Sequence, residues 1–197
     1  SAVAGEKVTF GSAVKLAETS SKWFLHSLEV QWSGGPAGEN IVTLIPDGAN
    51  PQVYWSVHGT GSTGSAIPCG SQVLFRQGTS GKKLKASKSQ SRISARDQAV
   101  VAQEEDDWFT IECNEDDWTM NKPVAIKNVS SGQYLRMAEL YTQQNCPRCP
   151  IVGQREVTVG TKRSEWSVEG GVILHQNESE SVHDEERSAE RHDRDEL

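Results

Sequence analysis

Four cysteines are the residues of this chain best suited to chemistry. Cys146-Pro147-Arg148-Cys149 has the C-x-x-C spacing of thiol exchange, where a lowered pKa turns the first cysteine into a nucleophile. Redox pairs of this kind open a helix after a strand, so that the helix dipole stabilises the thiolate. Here the pair stands between Asn145 and Pro150 in a loop of a β repeat, and a disulfide that staples this loop is the expectation. A zinc half-site would need a second Cys or His pair at ligand spacing, which the sequence does not offer.

Other reactive types are scattered. Asn128-Val129-Ser130 and Asn177-Glu178-Ser179 satisfy the N-glycosylation pattern, making Asn128 and Asn177 candidate acceptors. The acidic runs at 104–107 and 114–117 lack the Gly and terminal Glu of a calcium loop and read as solvated turns. His175, His183 and His192 are too dispersed for a catalytic array, and neither a nucleophile elbow nor a zinc-protease pattern accompanies His26 or His58. The expectation is a non-enzymatic protein with no cofactor and no metal.

Charge divides the chain in two. Of 27 acidic and 20 basic residues, nine acidic and three basic ones lie in 175–197, so this tail carries the net charge and the rest is nearly neutral. A near-neutral body gives no basic field for nucleic acid. No apolar run is long enough to cross a bilayer as a helix, so a soluble chain is expected, without membrane insertion. The tail ends in Arg194-Asp195-Glu196-Leu197, one cation exchange away from the Lys-Asp-Glu-Leu retrieval address that a receptor reads at a free carboxylate. An endoplasmic reticulum luminal location follows as an expectation, and with it an oxidising setting in which cysteines pair. The chain begins at Ser1 without a signal peptide, as a cleaved mature product would and as an artificially shortened chain equally would.

The elements that carry these residues recur in triplicate. Gly11-Ser12-Ala13-Val14-Lys15-Leu16 returns as Gly70-Ser71-Gln72-Val73-Leu74-Phe75 and as Asn121-Lys122-Pro123-Val124-Ala125-Ile126. The same register carries Ser21 onto Ser80 and Ser131, Leu25 onto Leu84 and Leu135, and His26 onto Lys85 and Arg136. Each unit closes on a tryptophan segment, at Trp55, Trp108 and Trp166. A fixed long period is an architectural signal. Alternation at Val14/Leu16, Val73/Phe75 and Val124/Ile126 predicts half-buried strands followed by Ser/Gly turns. Third strands are predicted at 41–44, 99–102 and 156–159, which are rich in β-branched residues.

Three four-stranded units that cannot bury a face alone predict an all-β fold, a β-trefoil with pseudo-threefold symmetry. The predicted layout is a lead-in at 1–7, a body at 8–172 with repeats at about 8–60, 66–118 and 119–172, and an acidic tail at 173–197. Cys69 enters the first strand of the second repeat and Cys113 follows its last, so a structural disulfide is expected there. It would stabilise by about 3 to 4 kcal/mol in the chain-entropy treatment. If one surface binds partners, His26, Lys85 and Arg136 are the candidates, since in a strand they point away from the buried Leu25, Leu84 and Leu135.

Taken together, Leu25-His26-Ser27, Ile67-Pro68-Cys69-Gly70, Asp106-Asp107-Trp108 with Cys113-Asn114, and Gly153-Gln154-Arg155-Glu156-Val157, in that order and followed by the acidic tail, resemble the stromal-cell-derived-factor-two family of MIR-domain proteins. The resemblance covers residues 8 to 170. It implies a β-trefoil of three MIR repeats, monomeric in the endoplasmic reticulum lumen and without catalysis. The implied partners are a J-domain co-chaperone, the luminal heat-shock-class chaperone and unfolded or O-mannosylated clients, while the Arg194–Leu197 address itself predicts binding to a retrieval receptor. The chain departs from the family pattern at Leu28, where a second histidine is expected, and in its Cys146–Cys149 loop. A carbohydrate-binding trefoil is the alternative, although lectin trefoils carry Gln-x-Trp where this chain has Val53-Tyr54-Trp55, Asp106-Asp107-Trp108 and Ser164-Glu165-Trp166.

Overall fold

The computed structural model of the chain describes residues 5–176. Asn177 and the Arg194–Leu197 address lie outside the described residues. Those described form twelve strands and one short 3-10 turn, Pro51–Val53. The first unit comprises β1 (Ala13–Glu18), β2 (Phe24–Ser27), β3 (Asn40–Ile45) and β4 (Tyr54–His58). The second comprises β5 (Gln72–Gln77), β6 (Lys83–Gln90), β7 (Gln98–Gln103) and β8 (Phe109–Glu112). The third comprises β9 (Ala125–Asn128), β10 (Tyr134–Leu140), β11 (Arg155–Gly160) and β12 (Trp166–Val172).

Pairing repeats with the sequence. Within the units β1 pairs β4 and β5 pairs β8, and a bridge from Val124 to Trp166 joins the third unit's ends; between units β4 pairs β5, β8 pairs β9 and β12 pairs β1. These six strands close a barrel without free edges, which removes the unpaired ladders that invite aggregation. The remaining strands form hairpins β2–β3, β6–β7 and β10–β11. They cap one end, because β3, β7 and β11 also pair with one another.

The core is a stack of equivalent positions. Leu16, Phe75 and Ile126 are fully buried, as are Leu25, Leu84 and Leu135 one turn on. Each such side chain contributes about 1.5–3 kcal/mol by leaving water. The second and third strands stay in register across units, with Leu25 facing Leu44, Leu84 facing Ala102 and Leu135 facing Val159.

The tryptophan period requires one correction. Trp55 pairs Val14, Trp166 bridges Val124, and the residue opposite Val73 in the second unit is Phe109, not Trp108. Trp55, Phe109 and Trp166 are all fully buried, while Trp108 is half-exposed just before β8. A one-residue slip in a strand changes the face that a side chain occupies.

Packing also runs past Val172. Ile173 joins the core, and the Leu174 backbone bonds Ser12 and Thr9 on the barrel floor. Cys69 and Cys113 form a disulfide that ties the base of the second unit.

Candidate functional site

Of the three threefold positions expected to face solvent, His26 is buried in the cap, while Lys85 and Arg136 are half-buried and ion-paired. His26 is only 2% exposed, with Nδ1 3.2 Å from Thr43 Oγ1 and Nε2 3.2 Å from Gln52 Oε1. Burial pushes its pKa below the ordinary imidazole value against the effect of the Gln52 bond, so His26 is neutral at neutral pH. Lys85 Nζ pairs with Glu105 Oε2 at 3.2 Å, and Arg136 pairs with Asp97. The expected outward face is corrected for a physical reason. Alternation puts these side chains opposite the leucines, but neighbouring loops fold over that side and supply partners.

A cycle of polar contacts joins the three units at the cap. The residue just before each third strand reaches into the following unit: Glu39 accepts from Ser87 Oγ at 3.1 Å, Asp97 from Arg136 and from Thr158 Oγ1 at 2.7 Å, and Gln154 Oε1 from Thr43 Oγ1. Through Thr43 the last bond also supports His26. The cap is therefore fastened by polar contacts between units, and charge-assisted bonds in such a network are its stronger members.

A second triplet closes the hairpins between the first two strands of each unit. Glu18, Gln77 and Asn128 end β1, β5 and β9 and accept from Ser20 and Ser21, from Ser80, and from Ser130 and Ser131. Asn128 is fully buried and also donates from Nδ2 to Asp107 at 2.9 Å. Its expected role as a glycosylation acceptor is corrected, since the nitrogen that would carry the sugar is hydrogen-bonded inside the fold.

Ser56 Oγ lies 2.8 Å from His58 Nε2, the contact a nucleophile and its base would make. Activation needs a third group that orients and charges the base, and the charge acting on His58 is the cation Arg76. Burial together with Arg76 lowers the His58 pKa. Among the described residues no group of His, Cys, Asp and Glu is placed to hold a metal.

Two clefts remain. One of about 640 Å³ runs between the first and third units, lined by Glu18, Phe24, Asn121, Glu165 and Glu169. The other, about 550 Å³, lies outside the cap between the 28–39 segment and the Cys146–Cys149 loop. The disulfide in that loop joins cysteines three positions apart, and Cys146 is buried with Ile41, Tyr141 and Ile151 in a small cluster separate from the main core. Trp32 packs 5.9 Å from the Tyr141 ring and carries Arg92 stacked on its face at 4.3 Å. Sequence reasoning missed this cleft because its walls are irregular loops without periodicity. The unexplained Cys146–Cys149 loop was its one visible trace.

Beneath it Glu156 of β11 is 3% exposed, accepting from Ser91 Oγ at 2.6 Å and Ser94 Oγ at 2.7 Å. Burial raises its pKa against those hydrogen bonds, and burial together with Glu156 pushes the Tyr141 phenol up as well.

No family model matches the chain. It is 29% identical to human stromal cell-derived factor 2, covering 87% of this chain and 84% of that protein. Identity to the stromal cell-derived factor 2-like protein of Dictyostelium discoideum is 26%, covering 85% and 84%. Among solved structures, the SDF2-like protein of Arabidopsis thaliana superposes with a TM-score of 0.76 at 24% identity, covering 87% of this chain and 99% of that one. An O-mannosyltransferase complex of Saccharomyces cerevisiae bound to its sugar donor contains the same fold, with a TM-score of 0.70 at 17% identity over 90% of this chain and 28% of that one. Along most of its length, then, the chain is similar to stromal cell-derived factor 2 and SDF2-like proteins.

Proposed function

We propose that this chain is a non-enzymatic binding module of the endoplasmic reticulum lumen, an accessory of a J-domain co-chaperone and the luminal heat-shock-class chaperone in protein quality control. The closed sheet is then a β-trefoil of three MIR-type repeats spanning about residues 8–172. The observation that carries the reading is the similarity to stromal cell-derived factor 2 proteins over most of the chain. The two disulfides support an oxidising compartment.

A second reading is recognition of O-mannosyl or related glycans. The cleft between the first and third units favours it, because Phe24 offers an apolar face beside Asn121, Glu165 and Glu169. Capture from luminal extract on the immobilised full chain separates the two. Release of a J-domain protein and chaperone by high salt, and not by mannose-type sugars, is the expected result. Glycoproteins released by sugar alone would replace the accessory reading with the lectin one.

A further inference from the structure

We propose that the cleft beside Trp32 is a docking site for a short acidic, extended peptide segment of a partner protein, held through Arg92 and Arg148. This rests on the binding-module reading and names the chemistry of its partner. Both guanidiniums are exposed and line the same cleft from different loops. Among the described residues neither makes an ion pair. Among the described residues no carboxylate lines the cleft, so two cations face it uncompensated by them. Guanidinium forks recognise carboxylates bidentately, and Arg92 is pre-oriented by its stack on Trp32 and by a 3.4 Å bond from Nη2 to the Ser33 carbonyl.

The floor between the two arginines selects a peptide. Val30, Trp32, Pro147 and Pro150 present apolar surface suited to an aliphatic side chain next to a carboxylate. A neutral sugar would need free polar side chains for its hydroxyls. The Asn145 amide is occupied by the Thr142 N–H and the Leu140 carbonyl, and Gln31 Oε1 by the Gly38 N–H. The volume is within the range of about 300–1,000 Å³ that holds a small ligand or a few peptide residues.

The test titrates the full chain into a fluorescently labelled peptide of alternating glutamate and leucine, with its glutamine–leucine counterpart alongside. Binding of the glutamate peptide alone is expected, weakening as salt rises, because exposed charges are screened over about 8 Å at physiological ionic strength. The Arg92→Gln/Arg148→Gln double variant should weaken it about tenfold or more, and Arg148→Glu, which leaves the Arg92–Trp32 stack in place, about fivefold. Equal binding of the two peptides, or unchanged binding by Arg148→Glu, overturns the proposal. So does binding that emerges only after residues 177–197 are removed, which would give the cleft to the chain's own acidic segment. The titration involves no luminal partner, so its failure and a failure of luminal capture are separately visible.

Discussion

Asp97, at the foot of β7, clasps Arg136 of β10 and in the same stroke accepts a 2.7 Å hydrogen bond from Thr158 of β11. The residue once offered as a binding cation is thus a fastening between the second and third units. Asp97→Ala leaves Arg136 and Thr158 without their acceptor inside the cap, and it should cost about 1–3 kcal/mol. Thermal unfolding should show the loss. Partner capture by the folded variant should be unchanged, because the pair works on the fold; a selective loss of capture with unaltered stability would restore Arg136 to the binding surface.

Lys22 adopts φ 60° in the turn where Gly81 has φ 72° and Gly132 φ 68°. A side chain in this left-handed region costs roughly 1–2 kcal/mol, partly offset by the unfolded-state freedom of glycine. Lys22→Gly should therefore stabilise by about 0.5–1 kcal/mol, raising the melting temperature by a few degrees. Chemical denaturation with an unchanged m-value is the suitable readout.

Two buried glutamates have opposite pH signatures. Burial alone would raise the pKa of Glu18, but hydrogen bonds from Ser20 and Ser21 hold it below the ordinary value. Its stabilising contribution is present above the unfolded-state value of about 4.3 and is lost as pH falls through the depressed folded value. Glu18→Gln, which copies the second unit's Gln77, should therefore melt lower at neutral pH, with the deficit closing in acid. Glu156 is raised by burial, so its contribution is present below about pH 4.3 and lost as pH rises through the elevated value. Glu156→Gln should melt higher at neutral pH, an advantage that shrinks toward pH 4.3.

The triplicate core was legible because its signal is redundant. Leu25, Leu84 and Leu135 recur in fixed register, and each sits on a strand whose alternation tells inside from outside. Trp108 and Phe109 show where that signal fails. Two adjacent aromatic residues fit the pattern equally well, and only strand pairing opposite Val73 selects Phe109. His26 failed differently, since alternation predicts which way a side chain leaves a strand and is silent about the Gln52 turn that covers it. The Trp32 cleft was invisible because three loops distant in sequence build it, and no local rule relates Arg92 to Arg148.

The Cys69–Cys113 bridge, with a sequence separation of 44, closes most of the second unit. Replacing both cysteines by alanine should cost about 3–4 kcal/mol and lower the melting temperature by roughly 6–16 °C. Opening Cys146–Cys149 should cost less, because its loop is short, and should loosen the Tyr141 cluster and the cleft above it. Scanning calorimetry of the two double variants would rank them.

The most direct measurement is calorimetric titration of the full chain with a purified luminal J-domain co-chaperone, repeated in the presence of mannose. The binding-module account predicts saturable association that salt weakens and mannose leaves unchanged. Absence of binding to the co-chaperone, together with sugar-dependent binding of O-mannosylated glycoprotein, would contradict it.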